Sequence, residues 1–347
     1  MRFTFHIILF HLFLIYSYPS AAQESFSGER ILKLPACYSV SLKPAPANNY
    51  YSEYQDLSRD LTHFIVSDVQ KSIKTRCFKL NKTGKRLIYS GLVVGSVYTG
   101  TLFYLNEAWY KQYARSSFHL YNDNKEWLQM DKAGHLWASY QESVAGIKFL
   151  EWCGIERYLA EDCGSFLGLI LLTPYEILDG FSAGWGFSLG DMYANLTGSL
   201  LALTQAKLWH EQRISLKFSS HRVNYYNDIF GLADEYYGTD FFNRTLKDYN
   251  GQTQWVSVNI WSFCKNAKFI PRWLNIAFGY GVYVFDYYDP ENYYRQYYFS
   301  FDVDFTKIRT RSKVLKTLFD VINCLKVPCP ALEYNKKDNW KFHPFYF

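Results

Sequence analysis

The stretch that decides the fold is MDKAGHLWASYQESVAGIKFLEW, residues 130–152, a mostly apolar run with helical periodicity. Its first turns carry Asp131, Lys132 and His135. Asp131 and His135 are four residues apart and therefore share one face of a helix. Ionisable side chains are costly to bury among apolar residues, so their recurrence at helical spacing predicts a shared polar site.

Two later apolar segments, residues 164–178 and 189–210, carry polar residues in a similar way. Glu176 and Asp179 are three residues apart near a helix-to-loop junction, and Asp191 and Asn195 repeat the spacing of four. Seven residues are therefore candidates for one site. The candidates for catalysis are Asp131, His135, Glu176 and Asp191, and those for binding are Lys132, Asp179 and Asn195.

The candidate residues support more than one chemistry. A carboxylate beside a histidine can fix the tautomer of the ring and raise its pKa, which is the arrangement of a general base. Two or three carboxylates with one histidine could instead hold a divalent metal. The chain has no zinc-binding motif, nucleophile elbow or phosphate loop, so we predict neither a metal nor a cofactor.

Structural roles explain the same residues without chemistry. Thr173–Glu176 and Ser188–Asp191 both match capping boxes, which would place Glu176 and Asp191 at helix starts. Asp131 would favour the amino terminus of its helix through the helix dipole. A single histidine on an apolar helix is often a hydrogen-bonded structural residue, so His135 also has a structural interpretation.

The amino terminus predicts export. Arg2 precedes an apolar run, Ile7–Tyr16, which is too short to span a bilayer and is followed by the small-residue pattern Ser20–Ala22 of a signal-peptidase site. Leu34–Cys37 resembles a lipoprotein processing site, but charged residues separate it from the apolar run, so we do not predict lipid anchoring. The predicted location is the cell envelope, in the periplasm or at the outer membrane.

The cysteine pattern indicates neither a disulfide scaffold nor a metal site. The seven cysteines are an odd number in a chain that is not small. In an oxidising compartment the nearest pairs along the sequence are Cys153–Cys163 and Cys324–Cys329.

Composition narrows the class of partner. Aromatic residues are 20 % of the chain, with 31 Tyr and 10 Trp, which suits either a membrane or carbohydrate interface or an aromatic-rich β core. The net charge of +5 is scattered, and no basic run with interleaved aromatic residues is present. We therefore expect no nucleic acid, and we expect a membrane or an envelope lipid or glycan as partner; protein partners are unknown.

The hydrophobic period changes along the chain. After the helical segments, alternation of period two begins near Ile214 and is clear in Trp255–Phe263, Trp273–Phe285 and Tyr297–Ile308, which predicts three or four antiparallel strands. A helix is predicted at 312–325. The predicted fold class is α+β, with a helical core of about four apolar helices followed by a small antiparallel β-sheet.

These patterns divide the chain into four predicted parts. Residues 1–22 are a signal peptide, 23–83 a polar segment with one helix at 56–78, 84–212 the helical core with the polar residues, and 213–347 a β-rich region. Leu87–Leu105 contains no charged residue over a length close to that of a membrane span. It therefore predicts either a membrane helix or a buried helix.

The polar segments also resemble known families. DKAGHLWASYQES, TPYEILDGFS and SLGDMYANLTGSLLAL, within residues 130–205, resemble the YfiM-like family of uncharacterised bacterial envelope (lipo)proteins. They are more distantly similar to the VanZ-like membrane proteins, whose pattern would assign Asp131, Lys132, His135, Glu176, Asp191, Asn195 and Gly198 as family positions. KDYNGQT, residues 247–253, extends the resemblance to the longer YfiM-like proteins. The resemblance implies the cell envelope but no reaction.

Together these features predict an exported, membrane-associated envelope protein. Its role is binding or structural, and its buried polar cluster lies between helices. The alternative is an enzyme that modifies an envelope lipid or glycan, with His135 as general base, Asp131 orienting it, and Glu176 and Asp191 binding a cation or acting as acid. A soluble periplasmic carbohydrate-binding protein is a third interpretation, based on aromatic content alone.

Overall fold

The computed structural model describes residues 82–108, 114–225, 231–265, 269–285 and 292–347. The predicted signal peptide, the predicted helix at 56–78 and two of the cysteines, Cys37 and Cys77, lie outside the described residues.

The described chain has the predicted α+β fold, with helices first and an antiparallel sheet after them. Five helices precede the sheet in the described residues: α1 Lys82–Ala108, α2 Met130–Cys153, α3 Arg157–Gly164, α4 Leu167–Gly180 and α5 Leu189–Trp209. The bounds of α2 and α5 agree with the sequence prediction within a residue. The predicted helix at 164–178 instead begins at Leu167, because a break at Ser165 and Phe166 separates it from α3.

Two side chains connect α1 to the following helices. An Nη of Arg86 donates to the carbonyl of Trp152 at 3.1 Å, and the hydroxyl of Tyr98 donates to the carbonyl of Leu171 at 2.7 Å. Throughout the part of the chain that the structure describes, no helix combines the length and the apolarity that crossing a bilayer needs.

Small residues let the helices approach closely. A Cβ added to Gly198 on α5 would lie 2.5 Å from the carbonyl oxygen of Leu136 and 2.8 Å from the amide nitrogen of Tyr140, both on α2. A Cβ on Gly168 of α4 would collide with the carbonyl oxygen of Ser139. Helices α4 and α5 therefore contact the backbone of α2 on two sides.

One predicted helix start is wrong. Thr173 does not cap a helix, because α4 begins at Leu167 and continues through Pro174. The hydroxyl of Thr173 donates instead to the carbonyl of Leu169 one turn earlier, at 2.7 Å. Glu176 is therefore in the middle of a helix, where its side chain is almost completely buried.

The sheet has six strands that are paired in the order in which they occur along the chain, and all neighbours are antiparallel. This is more than the three or four predicted strands, and the aromatic carboxyl-terminal tail forms the last of them. The strands are β3 Ile214–Ser220, β4 Gln252–Asn259, β5 Leu274–Tyr283, β6 Tyr294–Val303, β7 Cys329–Asn335 and β8 Asn339–Tyr346.

Shorter elements complete the described fold. A parallel pair, β1 Leu120–Tyr121 and β2 Phe187–Ser188, brings the loop before α2 next to the start of α5. The remaining α-helices are α6 Leu232–Tyr237, α7 Phe241–Lys247, α8 Ile260–Phe263 and α9 Lys313–Ile322.

The main apolar core lies where α2, α4 and α5 pack on strand β3. It consists of Trp137, Ala138, Tyr140, Leu172, Tyr175, Ala202, Leu216 and Phe218. The cysteines of the described residues are all free thiols, so neither Cys153–Cys163 nor Cys324–Cys329 is a disulfide.

Candidate functional site

The fold brings the predicted polar residues together between α2, α4 and α5. Asp131, Lys132 and His135 lie in the first turns of α2, Glu176 and Asp179 in the last turns of α4, and Asp191 and Asn195 in the first turns of α5. We call these seven residues, together with Asp123, the polar cluster. Its inner side chains are buried, and its outer ones are partly exposed.

His135 lies at the buried end of the polar cluster, and both of its ring nitrogens have partners. Nδ1 is 3.2 Å from Oδ1 of Asn195, and Nε2 is 3.5 Å from Oε1 of Glu176. Only 8 % of the His135 side chain is exposed, and 2 % of that of Glu176. When the ring is protonated, Nδ1 donates to Asn195 of α5 and the charge of the ring attracts the Glu176 carboxylate of α4.

The surrounding carboxylates favour the charged form of His135. Burial alone disfavours an imidazolium, but the charges of Asp191, Glu176 and Asp131 outweigh it and raise the pKa of His135 to about 9. Burial also raises the pKa of Glu176 well above its ordinary value, although the His135 charge acts against that rise and Asp179 contributes to it. A pKa of about 9 favours a protonated His135 ring at neutral pH.

Lys132 is the second cation of the polar cluster. Its Nζ is 2.6 Å from Oδ2 of Asp123, 3.1 Å from Oδ1 of Asp191 and 3.6 Å from Oδ2 of Asp131. Burial disfavours the ammonium, but these three carboxylates prevail and raise the pKa of Lys132 to about 12. Burial raises the pKa of Asp191 to about 6 against the opposing charges of His135 and Lys132.

A divalent cation would have a suitable set of donors here. Donor atoms of Asp131, His135 and Asp191 all lie within 4.8 Å of one another. The ammonium of Lys132 contacts both of those carboxylates and supplies the positive charge that a metal would otherwise bring. The carboxylates of the polar cluster can thus be balanced by two protein cations, Lys132 and His135.

Ser188 confirms the second predicted helix start. It is the N-cap of α5, and its hydroxyl accepts from the backbone N–H of Asp191 at 3.1 Å while donating to Oδ1 of Asp123 at 2.7 Å. The side chain of Asp191, at the N3 position, contacts Lys132. Capping therefore accounts for the backbone at Asp191 but leaves its carboxylate free for the polar cluster.

Serine hydroxyls continue the contact between helices below His135. Oγ of Ser139 donates to the carbonyl of Asn195 at 2.5 Å and lies 3.0 Å from Oγ of Ser199. The Ser199 hydroxyl also lies 3.0 Å from that of Ser143 and accepts from the backbone N–H of Leu169 at 3.1 Å. Three helices therefore share one hydrogen-bonded seam, which favours a fixed packing of the site.

The backbone before α2 is held in an uncommon conformation. Trp127, Leu128 and Gln129 all have positive φ, between 47° and 67°, which costs each non-glycine residue about 1–2 kcal/mol. The sheet compensates, because the hydroxyl of Tyr280 donates to the carbonyl of Leu128 and an Nη of Arg295 donates to Oε1 of Gln129 at 2.7 Å. Strand contacts thus fix how the chain enters the polar cluster.

Two contributors lay outside the sequence prediction. Asp123 pairs with Lys132, and the buried hydroxyl of Tyr249 donates to Oδ1 of Asp131 at 2.8 Å. Asp123 belongs to a polar loop, and no periodicity singles it out. Tyr249 lies within KDYNGQT, whose resemblance to the longer YfiM-like proteins was the one available signal.

One comparison with known proteins gave a match, and it covers the part of the chain that carries the polar cluster. Residues 120–207 match the model of a family described as "Predicted periplasmic lipoprotein (DUF2279)". The matched range contains all seven predicted site residues and ends before the six-stranded sheet. Neither the curated proteins nor the solved structures gave a match. The match supports an uncharacterised envelope family and indicates that the chain is an exported protein of the cell envelope, as its amino terminus predicts.

Proposed function

We propose that this chain is a membrane-associated envelope protein with a binding or structural role, and that the polar cluster holds its helices in register. The observation that carries the proposal is that both ring nitrogens of buried His135 are engaged, by Asn195 and Glu176. A general base needs a free, neutral nitrogen within reach of a substrate proton. An imidazolium that bonds to Asn195 on one side and contacts Glu176 on the other is suited to fixing helices instead.

The energetics support a structural role. Removal of one partner from a buried ion pair typically costs about 3–5 kcal/mol, because the other charge stays buried without compensation. A network in which Lys132 and His135 balance the carboxylates is therefore expected to select one arrangement of α2, α4 and α5. Gly198 supports this arrangement, since its contact with α2 is so close that an added Cβ would collide with the α2 backbone.

Exposed apolar residues on α1 support membrane association. Leu92 and Phe103 of this helix are exposed by 63 % and 69 %, and Ile88 and Val93 by 45 % and 48 %. Exposed apolar residues of this kind often mark a membrane or protein contact when they form a patch. A membrane, or an envelope lipid or glycan, is the partner that we propose.

The test compares His135→Ala with His210→Ala in the full chain. His210 also contacts a glutamate, with Nδ1 2.8 Å from Oε1 of Glu161, but its side chain is 39 % exposed. We expect His135→Ala to lower both the unfolding midpoint and the amount of protein in cells. His210→Ala should lower them less, because its side chain is more exposed and Lys207 also lies 3.8 Å from Glu161. A His135→Ala protein with normal stability and abundance that fails in its cellular role would contradict the structural proposal.

A second candidate is an envelope lipid- or glycan-modifying enzyme that uses His135 as general base. One observation favours it: the outer end of the polar cluster is open, with 26 % of the Asp131 side chain and 13 % of the Lys132 side chain exposed. The enzyme would need the His135 ring to become neutral near Asp131. A well-folded but inactive His135→Ala protein is the result that would favour this candidate.

A further inference from the structure

One face of the six-stranded sheet carries an apolar row that crosses five strands. Cross-strand pairing places its members side by side: Val256 opposite Phe278, Phe278 opposite Phe299, Phe299 opposite Leu332, and Leu332 opposite Phe342. Each is exposed by 39–63 %. Phe301, next on the same face of β6, is exposed by 49 %.

A second row on the same face consists of amphipathic aromatic residues. Tyr280, Tyr297, Tyr334 and Trp340 are paired in that order across β5 to β8. The rings of Tyr280 and Tyr297 are 5.9 Å apart, and those of Tyr334 and Trp340 are 5.0 Å apart. We call the two rows together the aromatic face.

The opposite face of the sheet is buried. It carries an apolar cluster of Trp255, Ala277, Tyr298, Ala331 and Tyr346, and it also carries polar residues. Lys217 and Asp302 form an ion pair of 2.8 Å there, and both side chains are fully buried. Oδ2 of Asp302 accepts from the hydroxyl of Ser257 at 2.6 Å, which in turn accepts from Nδ2 of Asn275 at 2.8 Å. A sheet that buries an ion pair on one face while it exposes large apolar side chains on the other suits surroundings that are not water.

Basic residues lie at one end of the aromatic face. Lys336 and Lys337 form the turn that joins Tyr334 to Trp340; both are exposed, and Asp338 is the acidic residue of that turn. Arg295, which precedes Tyr297 on β6, donates to Gln129 and Tyr280. The order is therefore an apolar row, a Tyr/Trp row and a basic edge. Acyl chains, the interfacial region and anionic head groups of a bilayer follow in the same order.

We propose that the aromatic face is a membrane-contact surface, with its Phe row in the acyl region of a bilayer and its basic edge against anionic head groups. This inference rests on the membrane association proposed above and assigns it to a surface other than α1. Apolar match and charge complementarity both favour lipid. A second copy of this chain is the competing occupant.

The first experiment measures flotation of the full-length protein with vesicles of phosphatidylcholine alone and of phosphatidylcholine mixed with phosphatidylglycerol. Phe278→Thr and Phe299→Thr keep residues that favour strands while removing aromatic area. We expect each change to lower vesicle partitioning by at least about tenfold, because a buried phenyl ring contributes strongly to partitioning. Phe241→Thr, at a Phe of α7 that is 68 % exposed, is the matched control and should change little.

A charge test uses Lys336→Gln combined with Lys337→Gln. We expect this double variant to lose most of the preference for phosphatidylglycerol vesicles while retaining its binding to phosphatidylcholine. Equal loss on both kinds of vesicle would contradict the assignment of a head-group contact to this edge.

The outcomes separate the two proposals. If the Phe278→Thr and Phe299→Thr proteins float with vesicles as the wild type does, but the Phe103→Ser protein of α1 does not, the aromatic face is not the membrane contact. Membrane association itself would then still hold. No flotation of the wild type on either vesicle would overturn both. A wild-type dimer that these two Thr changes dissociate, without vesicle binding, would assign the face to a second copy.

A second measurement tests the same contact without the Thr variants, in case these variants do not fold. Brominated acyl chains quench a tryptophan only at contact distance, so wild-type protein is compared with Trp340→Phe on brominated vesicles. We expect a fraction of the quenching to disappear with Trp340→Phe. Identical quenching in the two proteins would overturn the proposed contact.

Discussion

Gly198→Ala tests whether the contact between α2 and α5 is as close as the structure shows. The new Cβ would lie 2.5 Å from the carbonyl oxygen of Leu136 and 2.8 Å from the amide nitrogen of Tyr140. Both atoms are helix backbone and cannot move alone, so α5 must shift by about 0.5 Å to restore a contact of 3.0 Å. The shift would also strain the bond between Asn195 and His135, one turn away.

The magnitude follows from two opposing effects. Overpacking of a tight contact costs up to about 3 kcal/mol, whereas replacing glycine by alanine inside a helix gains about 1 kcal/mol. We therefore expect Gly198→Ala to lower the free energy of unfolding by about 2 kcal/mol.

Gly134→Ala is the matched control, because it is also in a helix of the site but its added Cβ meets nothing within 4 Å. Only the helix-propensity gain of about 1 kcal/mol applies, so this variant should be more stable than the wild type. Urea unfolding of the two variants measures both effects. A Gly198→Ala protein as stable as the wild type would refute the close packing of α5 on α2.

Three further predictions concern single side chains. Because the pKa of His135 rises from 6.5 to about 9 on folding, the protonated ring stabilises the fold fully below pH 6.5, and this stabilisation is lost as pH rises through 9. In urea titrations the free energy of unfolding of the wild type should therefore exceed that of His135→Gln by about 3 kcal/mol less at high pH than at low pH. A difference that does not change with pH would contradict the assigned charge. Ser188→Ala should lower the free energy of unfolding by about 1–2 kcal/mol, because α5 loses its N-cap. Thr173→Ala should lower it clearly less in the same assay, because Thr173 caps no helix. Equal losses would contradict this difference between the two residues. Lys217→Met should lower the free energy of unfolding by about 3–5 kcal/mol, because the buried Asp302 carboxylate loses its ion-pair partner. Adding Asp302→Asn should restore part of the stability in thermal unfolding. A Lys217→Met protein as stable as the wild type would contradict the buried pair.

The sequence pattern was sufficient to predict the helices and strands whose apolar residues recur with a regular period. Helices α2 and α5 have apolar residues at helical spacing with clear ends, and β6 alternates regularly, so their positions could be predicted. Strands β7 and β8 were harder to find, because Pro330 and Pro344 interrupt them. Alternation also does not say which face of a strand is buried, and β6 buries Tyr298, Ser300 and Asp302 while Phe299 and Phe301 are exposed.

The polar cluster was partly predictable for a similar reason. Its helical members lie at spacings of three and four residues, which identifies a common face. Glu176 was open to a capping interpretation, because the sequence around Pro174 satisfies the local rule for a helix start even though tertiary packing continues the helix. The contact of Tyr249 with Asp131 joins residues 118 positions apart, and no local rule reaches that far.

The most direct test of the account is the charge of the His135 ring in the folded protein. Nitrogen-15 NMR of the histidine rings, assigned with His135→Gln and recorded from pH 6 to pH 10, distinguishes an imidazolium from a neutral ring. The account predicts that both nitrogens of His135 are protonated at pH 7.5 and that the ring titrates with a pKa of about 9. A neutral His135 ring at pH 7.5 would contradict the structural role of the polar cluster and would favour a general base.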